Sequence, residues 1–170
     1  HYRVGNSDTE RFRKGLELII IDPKGNELDM YRNCRNVMFV NETQRAIQVL
    51  EHVVSEMDRK YRENITTNND LYIVIDELAD LMLTSKYQVE ESLVRIAQKG
   101  RALGIHLIVA TQSPRVAVIS GLIKANMPYR IALKTASTRD SVVVLDRKGA
   151  EELEGQGDSI VRIGLVEKRT

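Results

Sequence analysis

Apolar residues recur along this chain with two different periods, and together these periods predict an α/β fold. Short runs of β-branched and aliphatic residues predict strands at 16–21, 37–40, 71–76, 105–110, 130–135 and 159–163. Apolar residues at three- and four-residue steps predict helices at 43–62, about 88–102 and 116–125, with Gly104 placed to end the second. The apolar run 141–145 fits either a strand or a helix.

The segment 71–110 reads as a strand, a helix and a second strand, which is the pattern of a crossover connection. Such a connection is right-handed and places both strands parallel in one sheet. The residues that follow the two strands, Asp76-Glu77 and Gln112, are therefore expected at the same carboxyl edge of that sheet.

The Asp-Glu pair after an apolar strand suits nucleotide hydrolysis, with one acid holding magnesium and the next orienting the attacking water. A nearby amide such as Gln112 can bond a γ-phosphate or that water. Both features also have interpretations without catalysis. Acidic residues are common at a helix N-terminus, and Gln112 fits an ordinary loop amide. His106 lies in an apolar strand without a partner at metal-ligand spacing, which favours a core histidine.

The glycine-rich phosphate loop expected before such a pair, G-x-x-x-x-G-K-[ST], does not occur in the 170 residues. The first residue is His1, which suggests a cut or incomplete chain. Residues 1–15 are polar and without pattern, so we leave them as an unassigned tail or upstream remnant, with one domain over 16–170.

Composition narrows the class of protein further. A hydrophobic content of 42% and a charged content of 29% are typical of a globular protein. The single cysteine, Cys34, cannot form an internal disulfide, and no apolar run is long enough to span a bilayer, so we expect a cytoplasmic segment. From Lys86 to Lys148, eleven Lys and Arg residues face four acids, a basic excess of seven that suits phosphate backbones or simply solvated helix faces.

Several motifs together resemble the FtsK/SpoIIIE family of DNA translocases, in order and spacing from about Leu16 to Ile163. They are Asp22-Pro23-Lys24 with Glu27-Leu28, Ile75-Asp76-Glu77-Leu78-Ala79-Asp80-Leu81-Met82, Gly100-Arg101-Ala102-Leu103-Gly104-Ile105-His106-Leu107, Ala110-Thr111-Gln112-Ser113-Pro114, Gly121-Leu122-Ile123-Lys124-Ala125-Asn126, Lys134-Thr135-Ala136-Ser137 and Gly155-Gln156-Gly157-Asp158. Val142 and Glu154 depart from the family pattern, which usually has Arg at the first position and a neutral residue at the second.

The resemblance implies a RecA-like P-loop NTPase core, incomplete at the N-terminus, with a mainly parallel sheet flanked by helices. It implies ATP and Mg²⁺ as cofactors and double-stranded DNA as partner. It also implies a hexameric parent that can be membrane-anchored and that works on the cytoplasmic side in chromosome partition or DNA transfer. By resemblance the magnesium ligand is Asp76, the catalytic glutamate is Glu77 and the γ-phosphate sensor is Gln112. Arg101 and Arg130 are candidate arginine fingers, and the expected nucleotide-binding residues also include Asp22, Lys24 and Thr111.

Three alternatives to a DNA translocase motor stay open at this point. A conjugative coupling ATPase of a mobile element has the same fold, and a type VII secretion ATPase would move protein instead. A non-hydrolysing remnant that acts as an interaction module would keep the sheet without ATP turnover. The missing phosphate loop leads us to expect that hydrolysis needs residues upstream of this chain.

Overall fold

The computed structural model describes residues 17–66 and 69–170, which form two compact units. The first unit ends at Gln112, and the second comprises Ser113–Thr170. The expected tail at residues 1–15 lies outside the described residues. The boundary between the units falls directly after the residue predicted to sense the nucleotide.

The first unit is built on a four-stranded sheet in which every pairing is parallel. Its strands, in the spatial order β2-β1-β3-β4, are β1 (Leu18–Ile21), β2 (Val37–Val40), β3 (Leu71–Ile75) and β4 (Ile105–Val109). Because β3 and β4 are adjacent and parallel, the predicted crossover is confirmed. The carboxyl ends of β1, β3 and β4 therefore meet at one edge.

Two helices, α1 (Thr43–Arg62) and α2 (Leu78–Lys99), complete the core of this unit. The helix predicted at 43–62 has the observed bounds of α1, whose buried residues are Ala46, Ile47, Val49, Leu50, Val53, Val54 and Met57. On β1, Ile19, Ile20 and Ile21 are all buried, so both faces of this parallel strand are shielded from solvent.

Helix α2 differs from the prediction at its start, because it begins ten residues earlier than the predicted position 88. Its first turns bury Leu78, Ala79, Leu81 and Met82, and the backbone leaves helical geometry at Ser85. A short 3₁₀ helix, Gly100–Leu103, follows α2 and ends at Gly104, as predicted. Gly104 has φ +68°, and a Cβ there would lie 2.8 Å from Asp70 Oδ1, so the position requires glycine.

The second unit contains an antiparallel sheet in the order β5-β6-β7. Its elements are α3 (Gly121–Asn126), β5 (Tyr129–Leu133), α4 (Thr138–Leu145), β6 (Ser159–Ile163) and β7 (Val166–Arg169). The core comprises Ala132, Leu145, Ala150, Leu153 and Ile160. The ambiguous run at 141–145 is part of a helix, the helix predicted at 116–125 is confined to α3, and β7 was not predicted.

His106 is partnered but does not lie in the core. Its ring stacks on Tyr72 with the centroids 4.7 Å apart, and its Nε2 lies 3.2 Å from Asp70 Oδ1. The prediction of a core histidine is wrong because β4 is the last strand of the sheet and His106 is only half-buried there. Within the described residues, no helix is both long and apolar enough to cross a membrane.

Candidate active site

Backbone hydrogen bonds continue past the strand ends and fix the residues that follow them. Asp76 N donates to Ile21 O at 3.0 Å, and Ala110 N donates to Ile75 O at 2.8 Å. Leu78 N then donates to Ala110 O at 2.9 Å. The turns after β1, β3 and β4 are therefore tied to one another, which makes the carboxyl edge of the sheet a defined surface.

Glu77 lies at the centre of this edge, with only 4% of its surface exposed. Its Oε1 accepts hydrogen bonds from Ala79 N at 3.2 Å and from Thr111 Oγ1 at 2.5 Å. Its Oε2 accepts one from Gln112 N at 3.1 Å, and Lys24 Nζ lies 3.8 Å from the same oxygen. Glu77 is also the N-cap of α2, so the helix-terminus interpretation of the Asp-Glu pair is correct for this residue.

Asp76 is half-buried beside other acids. Burial raises the pKa of its carboxyl group, and the nearby charges of Asp22, Glu27 and Glu77 raise it further, while Lys24 partly offsets them. An ionised Asp76 is thus held where negative charge is disfavoured. A bound cation would relieve both effects.

Asp22 is fully buried, and both of its carboxylate oxygens are bonded to the loop that follows β1. Its Oδ1 accepts from Gly25 N at 2.8 Å and its Oδ2 accepts from Leu28 N at 3.1 Å. Asp22 therefore shapes the loop that carries Lys24 to within 3.8 Å of Glu77. Its predicted contact with a nucleotide stays a prediction, and so does that of Lys24.

The turn after β4 places Thr111 and Gln112 against Glu77. The expectation that Gln112 shares an edge with the Asp-Glu pair is confirmed, although its backbone N–H, rather than its amide, makes the contact. The side chain of Gln112 is exposed. The sequence did not indicate the partner of Thr111, because the direction of its hydroxyl depends on the conformation of this turn.

The two candidate arginine fingers lie on other elements of the fold. Arg101 is exposed in the 3₁₀ helix that precedes β4, which places it at the amino edge of the sheet, opposite Glu77 and Gln112. Arg130 lies on β5 in the second unit, where its Nη1 donates to Val144 O and to Asp146 Oδ2, both at 2.9 Å. Their roles as arginine fingers stay predictions.

Asp146 is the centre of a basic cluster in the second unit that the sequence did not reveal. Its carboxylate bonds Lys124 Nζ at 2.6 Å, Arg130 Nη1 at 2.9 Å and Arg162 Nη1 at 3.2 Å. The hydrogen bond from Lys124 is the main reason that its pKa lies below the usual value. Asp146 is the C-cap residue of α4 and adopts the left-handed conformation, at φ +62°.

Carboxylates at the carboxyl edge do not amount to a metal site made by the protein alone. Among residues 17–66 and 69–170, no group of three or more His, Cys, Asp or Glu side chains is arranged to hold a metal. Mg²⁺ with phosphates, however, commonly uses only one or two carboxylates and retains its waters. Asp76, with its raised pKa, fits that pattern.

Comparison with known proteins identifies the family. Residues 62–116 match the model of the FtsK/SpoIIIE family. The chain is 41% identical over 173 residues to the DNA translocase FtsK of Tropheryma whipplei and 40% identical over 172 residues to the DNA translocase SpoIIIE of Bacillus subtilis. Each alignment covers 85% of this chain. This chain belongs to the FtsK/SpoIIIE family.

This member of the FtsK/SpoIIIE family spans only about a fifth of its relatives, since the alignments cover 23% of the Tropheryma whipplei protein and 22% of the Bacillus subtilis protein. Solved structures confirm the fold. The pCW3 conjugation coupling protein TcpA, in its monomer form with ATPγS, has a TM-score of 0.80 and 26% identity, covering 92% of this chain and 52% of that one.

The Thermomonospora curvata type VII secretion ATPase EccC has a TM-score of 0.72 at 24% identity over 91% of this chain and 21% of that one. This second likeness shows the fold alone. The α/β fold predicted for the chain, the RecA-like core of P-loop ATPases, is confirmed by these neighbours.

Proposed function

We propose that this chain is part of an ATP-driven motor that translocates double-stranded DNA. The observation that carries the proposal is 40–42% identity, over 85–86% of the chain, to proteins named DNA translocases. The carboxyl edge of the sheet supports it, because Asp76, Glu77 and Gln112 lie together where α/β folds bind ligands.

In the proposed site, Asp76 holds Mg²⁺ and Glu77 orients the attacking water. The exposed amide of Gln112 contacts the γ-phosphate, while Lys24, Asp22 and Thr111 complete the surroundings of the nucleotide. When bound, Mg²⁺ neutralises charge on the transferred phosphoryl group. The grip on the β- and γ-phosphates requires a glycine-rich loop with lysine, which this sequence lacks, so residues of the same protein outside this chain supply it.

Arg101 acts in this proposal only on the nucleotide of a neighbouring copy. The five residues of β4 separate the two edges of the sheet by about 16 Å, at about 3.3 Å per residue, so Arg101 does not reach the site of its own chain. The proposed assembly is therefore a ring, a homo-hexamer by analogy with the family, on the cytoplasmic side of the membrane. Mixing R101A and E77Q copies tests this, because one mixed interface would then retain both groups.

The test of the proposed function uses the whole protein that contains this chain. We expect ATP hydrolysis that double-stranded DNA stimulates, together with ATP-dependent displacement of a third strand from a DNA triplex. The variant E77Q should lose at least about 100-fold in hydrolysis, the usual contribution of such a group, while still binding ATP.

Glu42→Gln makes the same chemical change at an exposed residue whose side chain caps no helix, and it should hydrolyse ATP like the parent. Hydrolysis by E77Q at the parental rate would refute the catalytic assignment. Absence of ATP turnover in the unmodified protein would instead favour a non-hydrolysing interaction module.

A conjugative coupling ATPase is the second candidate, favoured by the TM-score of 0.80 and the 52% coverage of TcpA. Such a protein would deliver DNA to a transfer channel with the same site chemistry. Binding of the whole protein to the relaxase of a mobile element, measured by co-purification, would favour this candidate over a chromosomal motor.

A further inference from the structure

Glu77 is held in an arrangement that leaves little room for an attacking water. A carboxylate offers about four lone-pair positions, and three of them accept hydrogen bonds from Ala79 N, Thr111 Oγ1 and Gln112 N. The ammonium group of Lys24 lies 3.8 Å from Oε2, the oxygen that accepts only one of these three bonds. With 4% of the residue exposed, water does not reach the carboxylate freely.

These contacts differ in how readily they can be released. Ala79 N belongs to the first turn of α2 and is fixed with that helix. Thr111 and Gln112, in contrast, follow β4 in a turn without regular secondary structure, and Gln112 is the last residue of its unit. Movement of this turn would remove two donors from Glu77 in one step.

We propose that Thr111 is a positioning residue that restrains Glu77 in a closed position, and that displacement of the Thr111-Gln112 turn releases it. This inference rests on the proposed function, because it assumes that Glu77 orients the attacking water. The exposed side chain of Gln112 gives the turn a means of responding, since an amide drawn toward a γ-phosphate takes its own backbone N–H with it. Gln112 thereby contacts the γ-phosphate and releases the carboxylate of Glu77 in the same movement.

The first test replaces Thr111 in the whole protein and measures ATP hydrolysis with and without double-stranded DNA. T111V keeps the shape of the side chain and removes its hydroxyl donor. A hydrogen bond to a charged group shifts a two-state equilibrium by about tenfold or more, so hydrolysis without DNA should rise by roughly that factor.

Three further variants distinguish a restraint on Glu77 from general damage to the protein. T111S keeps the hydroxyl and should retain both the low DNA-free rate and the stimulation by DNA. Thr84→Val makes the same change on α2, at an exposed residue that bonds only the carbonyl of Asp80 among the contacts described, and should resemble the parent. The double variant T111V/E77Q should not show the increased hydrolysis of T111V, because that increase acts through Glu77.

The second test uses unmodified protein and does not depend on the folding of a variant. Hydrogen exchange of the Gln112 amide should be slow without nucleotide, and it should become about tenfold faster when ATPγS draws the turn away. A peptide covering residues 110–114 reports this amide together with its neighbours. Exchange that stays equal or slows with ATPγS would overturn the proposal.

The two failures are distinguishable. Suppose that the unmodified protein hydrolyses ATP, and that T111V, but not T111S, lowers the hydrolysis rates with and without DNA. Thr111 would then align Glu77 for reaction, and the proposed restraint would be wrong. If the unmodified protein does not hydrolyse ATP, the proposed function fails and this inference fails with it.

Discussion

Asp22→Asn should destabilise the first unit, because it changes a buried carboxylate that organises the loop after β1. Asp22 is completely buried and accepts hydrogen bonds from Gly25 N at 2.8 Å and from Leu28 N at 3.1 Å. Asparagine has the same shape, but only one of its two polar atoms accepts. Its NH₂ group would then face a backbone N–H, donor against donor.

The expected loss of stability follows from these two hydrogen bonds. Each hydrogen bond to a charged group contributes about 1.5–3 kcal/mol, and asparagine loses one of them and weakens the other. Gly25 N retains part of its bonding, because it also donates to the backbone oxygen of Asp22 at 3.0 Å. We therefore expect a loss of about 2 kcal/mol, which at a typical urea m-value of about 2 kcal/mol/M lowers the midpoint by about 1 M.

The assay is urea unfolding of the protein, read through hydrogen exchange of peptides that cover β1 and β3. This readout separates the unfolding of this unit from that of the rest of the protein. Asp29→Asn is the matched control, because Asp29 lies in the same loop but is exposed and bonds only Arg32, at 2.7 Å, among the contacts described. It should change stability by no more than about 0.5 kcal/mol.

A midpoint for Asp22→Asn within about 0.25 M of the parent would refute the reasoning, at the same typical m-value. It would mean that the loop forms without this carboxylate. A loss of stability accompanied by an unchanged rate of ATP hydrolysis would show instead that the loop organises the fold without positioning Lys24.

Three further predictions concern other acids. Asp76→Asn should raise stability at pH 7 and abolish ATP hydrolysis. Because the fold raises the pKa of Asp76, its ionised form destabilises the folded protein, and this penalty disappears as the carboxyl group is protonated. The urea midpoints of variant and parent should therefore converge at acidic pH. Glu151→Gln should lower stability at pH 7, because backbone hydrogen bonds lower the pKa of Glu151 to about 2. Unfolding measured between pH 5 and pH 2 should show the parent losing this extra stability as the pH falls below about 4.5. Asp146→Asn should lower the free energy of unfolding of the second unit by about 1 kcal/mol, a small value because solvent screens a carboxylate that is 43% exposed. The difference in urea midpoints between variant and parent should shrink when the pH falls below 3.8, the ordinary pKa of the group.

The strongly periodic elements could be predicted from the sequence, and the weakly patterned ones could not. Helix α1 was predicted with its observed bounds, because its apolar residues form one buried stripe. The start of α2 was missed, since it directly follows the Asp-Glu pair and its backbone breaks at Ser85. Strand β7 was missed because it is exposed and mostly charged, so it is defined by its pairing with β6 rather than by burial.

The same distinction applies to the candidate site. The shared edge of Asp76, Glu77 and Gln112 follows from parallel strand order, which the crossover pattern predicts. The partners of Glu77 do not follow from that order. They depend on two local conformations, the first turn of α2 and the turn after β4, and on which atoms these turns direct toward the carboxylate.

The two interpretations of the Asp-Glu pair are therefore compatible. Glu77 caps α2 by accepting from Ala79 N, and this bond anchors one oxygen of the carboxylate at the edge of the sheet. An anchored carboxylate needs only the turn at Thr111 and Gln112 to move in order to become available to water. The helix cap thus keeps the proposed catalytic group close to its working position, and the neighbouring strand end decides when the group is accessible.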